Sequence, residues 1–260
     1  MNEHIAIVTG ANHGIGAATA VALARQGCAV VCAFWRVHDD LDPAVPQAYR
    51  DHRVGGADAV VAEIEAAGGR GVATEADLSD PATPGILFDL AEQRLGPVDI
   101  LVNNATGWLA DTFKPAEADR MGRALQPVSQ ATWSQQFGVD AMAPALMISE
   151  FARRHAARNA SWGRIIGLTS GGALGFPEEV SYGAAKAAQE NYTMAAAQEL
   201  GRYGVTANLV RPPATDTGWV TAAVRASAAR VALPEEVAEV VTLVASHQAR
   251  YITGQVIHVS

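Results

Sequence analysis

The chain has 260 residues, 49% of them apolar and 18% charged, which is enough to bury a substantial core and suits one α/β domain. A net charge of −8, with no cluster of Lys and Arg, excludes a nucleic-acid surface, because neutralising phosphates takes clustered cations. The opening stretch MNEHIAIVTG carries no basic and apolar leader, and no apolar run approaches ~18 residues, so a cytoplasmic protein with no membrane partner is expected.

In chain order, short apolar runs alternate with segments of helix length. HIAIVT leads into a helix over 14–26, AVVCAF into one over 55–67, and GVATEAD into one over 81–95. VDILVN leads to a long helix over 131–158, GRIIGLT to one over 181–203 and VTANLVR to one over 234–246, with QVIHV last. Continuously apolar strands separated by helices indicate a parallel sheet covered on both faces. The expectation is an α/β, doubly wound Rossmann domain of about seven strands spanning 1–260.

The two cysteines, Cys28 and Cys32, fall in one short apolar run, too far apart along a strand to bridge, and read as reduced core thiols. Two connections are longer than the fold needs: WRVHDDLDPAVPQAYRDHRVG after the second strand and TGWLADTFKPAEADRMGRALQPVSQ after the fourth. Both leave carboxyl ends of strands, where open parallel sheets bind ligands, so they read as walls of a site.

The turn VTGANHGIGAATA places Gly10, Gly14 and Gly16 between the first strand and the first helix, with Asn12, His13 and Ile15 among them. Glycines there let the backbone approach a pyrophosphate, which meets the unsatisfied N–H groups of the helix that follows. Dinucleotide binding is the reading. Asp77 and Leu78 follow the third strand, where a carboxylate and a backbone N–H can read an adenine edge. The run Asn103, Asn104, Ala105, Thr106 ends the fourth strand, and its amides either line the cofactor channel or tie strand ends together. Tyr182 and Lys186 in SYGAAKAAQENY are four residues apart, hence stacked on one helix face, where a buried ammonium is one way to lower a phenol from its usual value near ~10.

With the glycine spacing, NNA, and Ser170 twelve residues before Tyr-x-x-x-Lys, the chain resembles the short-chain dehydrogenase/reductase family over nearly its whole length. It is most similar to the compact members that include 3-oxoacyl-carrier-protein reductases. The resemblance implies that Ser170 holds the substrate carbonyl or hydroxyl, Tyr182 transfers the proton, and Lys186 bonds the nicotinamide ribose and steadies the tyrosinate. It also implies that Pro212, Thr215 and Thr217 in PPATDT wrap the nicotinamide carboxamide, and that the chain forms a homodimer or homotetramer through its long fifth and sixth helices.

Three departures from the family pattern stand out. Asp140, seven residues after Trp133, occupies the position of an asparagine that anchors a water relay to the lysine; a carboxylate there favours the charged lysine and alters the pH profile. Thr106 and the insertion after it replace the usual glycine, and Trp108, Leu109 and Phe113 suggest an apolar wall, joined by Phe176 and Trp219. Pro213 stiffens the turn where a glycine is common. The segment 217–233 is where relatives carry a substrate lid, and here it is a short flap.

At the end of the second strand, where NAD enzymes keep an acid, CAFWRV offers Phe34, Trp35 and Arg36 instead. Arg36 can meet a phosphate bidentately and His13 occupies an often basic position, so NADP is favoured, with NAD possible if Asp39 or Asp40 reads the ribose. The function expected is reduction of a ketone, a 3-oxoacyl thioester or a secondary-metabolite carbonyl among the options. The alternative is a dinucleotide-binding sensor or scaffold. No GxSxG elbow and no HExxH spacing occur, so neither a serine hydrolase nor a metal site is expected.

Overall fold

The structure is a computed structural model that describes residues 1, 4–38, 45–171 and 175–260. Seven parallel strands form the sheet: β1 (Ile5–Thr9), β2 (Ala29–Phe34), β3 (Arg70–Glu75), β4 (Val98–Asn103), β7 (Gly163–Leu168), β8 (Val205–Arg211) and β9 (Val256–His258). Their order is β3-β2-β1-β4-β7-β8-β9, with the order reversing beside β1, as in a doubly wound sheet. The register is regular: Val8 pairs Cys32 on one side and Val102 on the other. A separate short parallel pair, β5 (Asp111–Thr112) and β6 (Gln126–Pro127), lies in the insertion after β4.

Because side chains alternate across each strand, the sheet carries a core on both faces. Val8, Val30, Ile100 and Ile166 face one layer, where α1 (Gly14–Arg25) and α9 (Pro234–Ala245) pack. Ile7, Val31, Leu101 and Ile165 face the other, against Phe88 of α4 (Thr83–Arg94) and Met147 and Phe151 of α6 (Ala143–Ala157). Cys28 and Cys32 are buried and unbridged, and burial pushes their thiols up to about 11 and about 12. No described helix is long and apolar enough to cross a membrane.

Two elements differ from the sequence expectation. Part of the first long connection is helical, with α2 (Gln47–Val54) preceding α3 (Asp58–Ala66). No residue of α2 is buried, so no apolar stripe announced it. The long helix expected over 131–158 is α5 (Gln130–Phe137), a π-helical turn at Gly138–Met142, then α6. The wider turn is closed by the Ala143 N–H bonding the Gly138 carbonyl, just before Pro144, which has no N–H to give the carbonyl of Asp140.

Candidate active site

The carboxyl ends of the strands open into one cleft of about 1000 Å³. Its floor at one end is the β1–α1 turn. Gly10 has φ +65°, a left-handed value, and a Cβ at Gly14 or Gly16 would stand 2.7 Å from the Thr217 methyl or 2.1 Å from the Gly10 carbonyl oxygen. Gly10, Asn12, His13, Gly14 and Ile15 line the cleft, while Gly16 backs the turn. No side chain caps α1 and no acid enters its first turn, so its positive end is left for an anion. These residues fit the pyrophosphate of a dinucleotide.

Asp77, Leu78, Asn104, Ala105 and Thr106 form the adjoining wall, and Pro212, Thr215 and Thr217 lie opposite. Several have a first partner within the protein. Asn104 donates from Nδ2 to the carbonyls of Thr9 at 2.8 Å and Gly10 at 3.1 Å, tying the ends of β1 and β4 together. Asp77 accepts from the Ser79 N–H at 2.9 Å, Thr215 donates its hydroxyl to the Pro213 carbonyl at 3.0 Å, and the Thr106 hydroxyl accepts from the Trp108 N–H at 3.1 Å.

The far end holds the predicted catalytic group. α7 (Val180–Leu200) begins at the cleft, and Asp111 of β5, fully buried, accepts the Ser181 N–H at 2.8 Å and the Ser181 hydroxyl, so the insertion is pinned to the start of that helix. The next residue, Tyr182, lies beside the hydroxyl of Ser170, which follows β7, and packs edge-on against Phe176 at 5.5 Å. Gly183 is needed here because a Cβ would meet Phe176 Cβ at 2.4 Å. The Lys186 ammonium lies 5.7 Å from the centre of the Tyr182 ring and donates to the Leu168 carbonyl at 2.9 Å and Gln189 Oε1 at 3.0 Å.

Asp140 completes the group from below. It is fully buried on the π-helical turn, with Oδ1 3.0 Å from the Lys186 ammonium. That oxygen has no aligned hydrogen-bond donor, so the contact is an ion pair, whereas Oδ2 accepts from the Gly107 N–H at 2.8 Å and Gln136 Nε2 at 2.6 Å. The carboxylate thus meets the lysine directly.

Lys186 was expected to bring the Tyr182 phenol down, but the balance of this arrangement is upward. Burial pushes the phenol well above its ordinary value, the Asp140 carboxylate pushes it further, and the neighbouring Ser170 hydroxyl only partly opposes them. Tyr182 thus stays the neutral phenol further into the alkaline range than an ordinary tyrosine.

The substrate wall also differs in part. Trp108, Phe176 and Trp219 line the cleft, the last donating its indole N–H to the Thr215 carbonyl at 2.9 Å within a flap that includes the short α8 (Ala222–Ser227). Leu109 is buried away from it and Phe113 is 81% exposed on the outside. Sequence reasoning missed Met121, Arg123 and Glu179. Arg123 reaches Glu179 at 2.8 Å and Asp119 at 2.6 Å, and its guanidinium lies 5.0 Å from the Trp108 ring centre. Burial pushes the Glu179 carboxyl up, against the pull of Arg123 and the Trp108 indole.

At the adenosine end a further correction is required. Arg36 does not line the cleft; its N–H and guanidinium both bond Glu75 at the end of β3, and the side chain crosses Gly56 and the face of Phe34. His13 lines the cleft but is no cation: burial, then His52 and Arg53, lower it to about 4. Asp39 and Asp40 lie outside the described residues.

Comparison with known proteins agrees with this geometry. Residues 4–228 match the family model described as short chain dehydrogenase. The chain is 34% identical to cis-4-hydroxycyclohexanecarboxylate dehydrogenase of Sinomonas cyclohexanicum, covering 99% of this chain and 95% of that protein. It is 33% identical to a 3-oxoacyl-[acyl-carrier-protein] reductase of Synechocystis sp., covering 100% and 96%. Among solved structures it resembles the angucycline C-6 ketoreductase LanV with bound NADP, with TM-score 0.78, 29% identity, and 99% and 94% of the two chains covered.

Proposed function

Since the chain belongs to the short-chain dehydrogenase/reductase family and is an oxidoreductase of that kind, we propose that it is an NADP-dependent ketone reductase. The observation that carries this reading is Tyr182, set beside Ser170 and backed by Lys186 at the inner end of a cleft whose other end is the glycine-rich turn. When bound, the dinucleotide supplies the hydride.

The chain's own residues have the remaining tasks. Gly10, Gly14, Ile15 and Gly16 let the backbone and the start of α1 hold the pyrophosphate, with Asn12 and Thr217 closing over it. Asp77 and Leu78 take the adenine edge, and Asn104, Ala105, Thr106, Pro212 and Thr215 bound the nicotinamide half. Ser170 donates to the substrate carbonyl oxygen while Tyr182, kept as the neutral phenol to still higher pH by burial and Asp140, gives that oxygen its proton. Lys186 stabilises the tyrosinate left behind, and its second role is on the ribose. Asp140 is a positioning residue: it fixes the ammonium from beneath, in place of an amide and water relay.

The aromatic walls of Trp108, Phe176 and Trp219, with Arg123 beside Trp108 already paired to two carboxylates, favour a neutral, ring-bearing or acyl ketone over an anionic one. Exposed Trp133 and Tyr192 on α5 and α7 suit assembly as a dimer or tetramer, which sedimentation velocity measures directly. The test of the function is NADPH oxidation with a panel of cyclic and acyl ketones. Turnover that depends on Tyr182 supports it, and NADPH binding without turnover on any ketone or alcohol overturns it.

A further inference from the structure

The helix α2 and the glycine-rich turn are locked together. Asn12 Nδ2 donates to the carbonyls of His52 at 3.2 Å and Gly55 at 3.0 Å, and the Val37 N–H bonds the Arg53 carbonyl at 3.0 Å. The His13 ring stacks on His52 at 5.5 Å and meets the Tyr49 ring edge-on at 5.9 Å. Arg53 continues this face of α2, with its guanidinium 5.8 Å from the Tyr49 ring centre, and lines the cleft beside Phe34, Trp35 and Val37.

The glycine turn, the end of β2 and this face of α2 therefore enclose one corner of the cleft. In a doubly wound fold that corner receives the ribose next to the adenine. Arg36, the side chain that the sequence places there, is held on Glu75. Among the described residues lining the corner, Arg53 presents a guanidinium, the side chain suited to meeting a phosphate in a bidentate fork. His13 stays neutral at pH 7, with its Nδ1 buried and without a hydrogen-bond partner, so it offers a polar atom and no charge.

We propose that Arg53, with His13 beside it, receives the ribose 2′-phosphate, so that selectivity for NADP resides on α2 and not at the end of β2. The inference rests on the NADP reading above and names the residue that would carry it. An exchange of Glu75-bound Arg36 for Ala removes the side chain at the end of β2 without touching α2, and so separates the two assignments.

The experiment is calorimetric titration of wild type, Arg53→Met and Arg36→Ala with NADPH and, separately, NADH. The expected result is a loss of roughly ten- to hundredfold in NADPH affinity for Arg53→Met, the scale of one charge-assisted phosphate contact. Its NADH affinity and both affinities of Arg36→Ala stay within about twofold, the unchanged NADH value serving as the check that Arg53→Met is folded. NADPH affinity lost in Arg36→Ala and kept in Arg53→Met overturns the inference and leaves NADP dependence standing. An equal loss for both nucleotides in Arg53→Met also overturns it, as does a wild type that prefers NADH. Binding of neither nucleotide to the wild type overturns the proposed function itself, and this inference with it.

Discussion

The two ends of the cleft each offer a cation paired with a carboxylate, and the pairs behave differently. Lys186 and Asp140 are both buried, so the ion pair stays beside the phenol and forms part of the site. Arg36 and Glu75 are each about one-third exposed, and their pairing turns the guanidinium out of the cleft. A buried carboxylate tunes its neighbour, because little water screens it; an exposed one merely claims its partner. What a charged residue near a site does is thus decided by which counter-charge reaches it first and how wet the contact is.

The comparison can be broken or sharpened by substitution. The largest effect is expected for Tyr182→Phe, which removes the proton donor: kcat falls by about 10²- to 10⁴-fold while NADPH affinity by calorimetry is kept. Retained turnover would move the proton transfer elsewhere. Next comes Asp111→Ala, which strips a buried carboxylate from Ser181 at the start of α7 and costs about 2 kcal/mol in chemical denaturation. A loss indistinguishable from zero would mean that the insertion is not anchored there. Arg36→Ala should be the mildest: a partly exposed pair contributes at most about 1 kcal/mol, so its denaturation midpoint stays close to wild type.

Much of this was legible in the chain, and the reasons are local. The strands are continuous apolar runs, and the Tyr182–Lys186 pair and the glycine turn depend on spacing within a single element, which sequence displays directly. The misreadings needed a partner far along the chain. Arg36 was expected to face the cleft because its pairing with Glu75, 39 residues away, does not show in the sequence, and the raised phenol of Tyr182 depends on Asp140 through the fold. Phe113 was placed in the wall because an aromatic in an insertion says nothing of its direction, and it points outward. α2 escaped notice because it buries no residue.

The measurement that bears most directly on the account is the pH dependence of kcat/KM for ketone reduction in wild type and Asp140→Asn. Tyr182 must be protonated to act as the acid, and Asp140 is one of the causes that hold its pKa high. Removing that charge lets the phenol ionise more readily, so the alkaline limb of the profile should move to lower pH, and in the oxidation direction the variant should gain activity at neutral pH. A profile that is unchanged, or whose alkaline limb moves to higher pH, would contradict the claim that the Asp140 carboxylate tunes the proton donor.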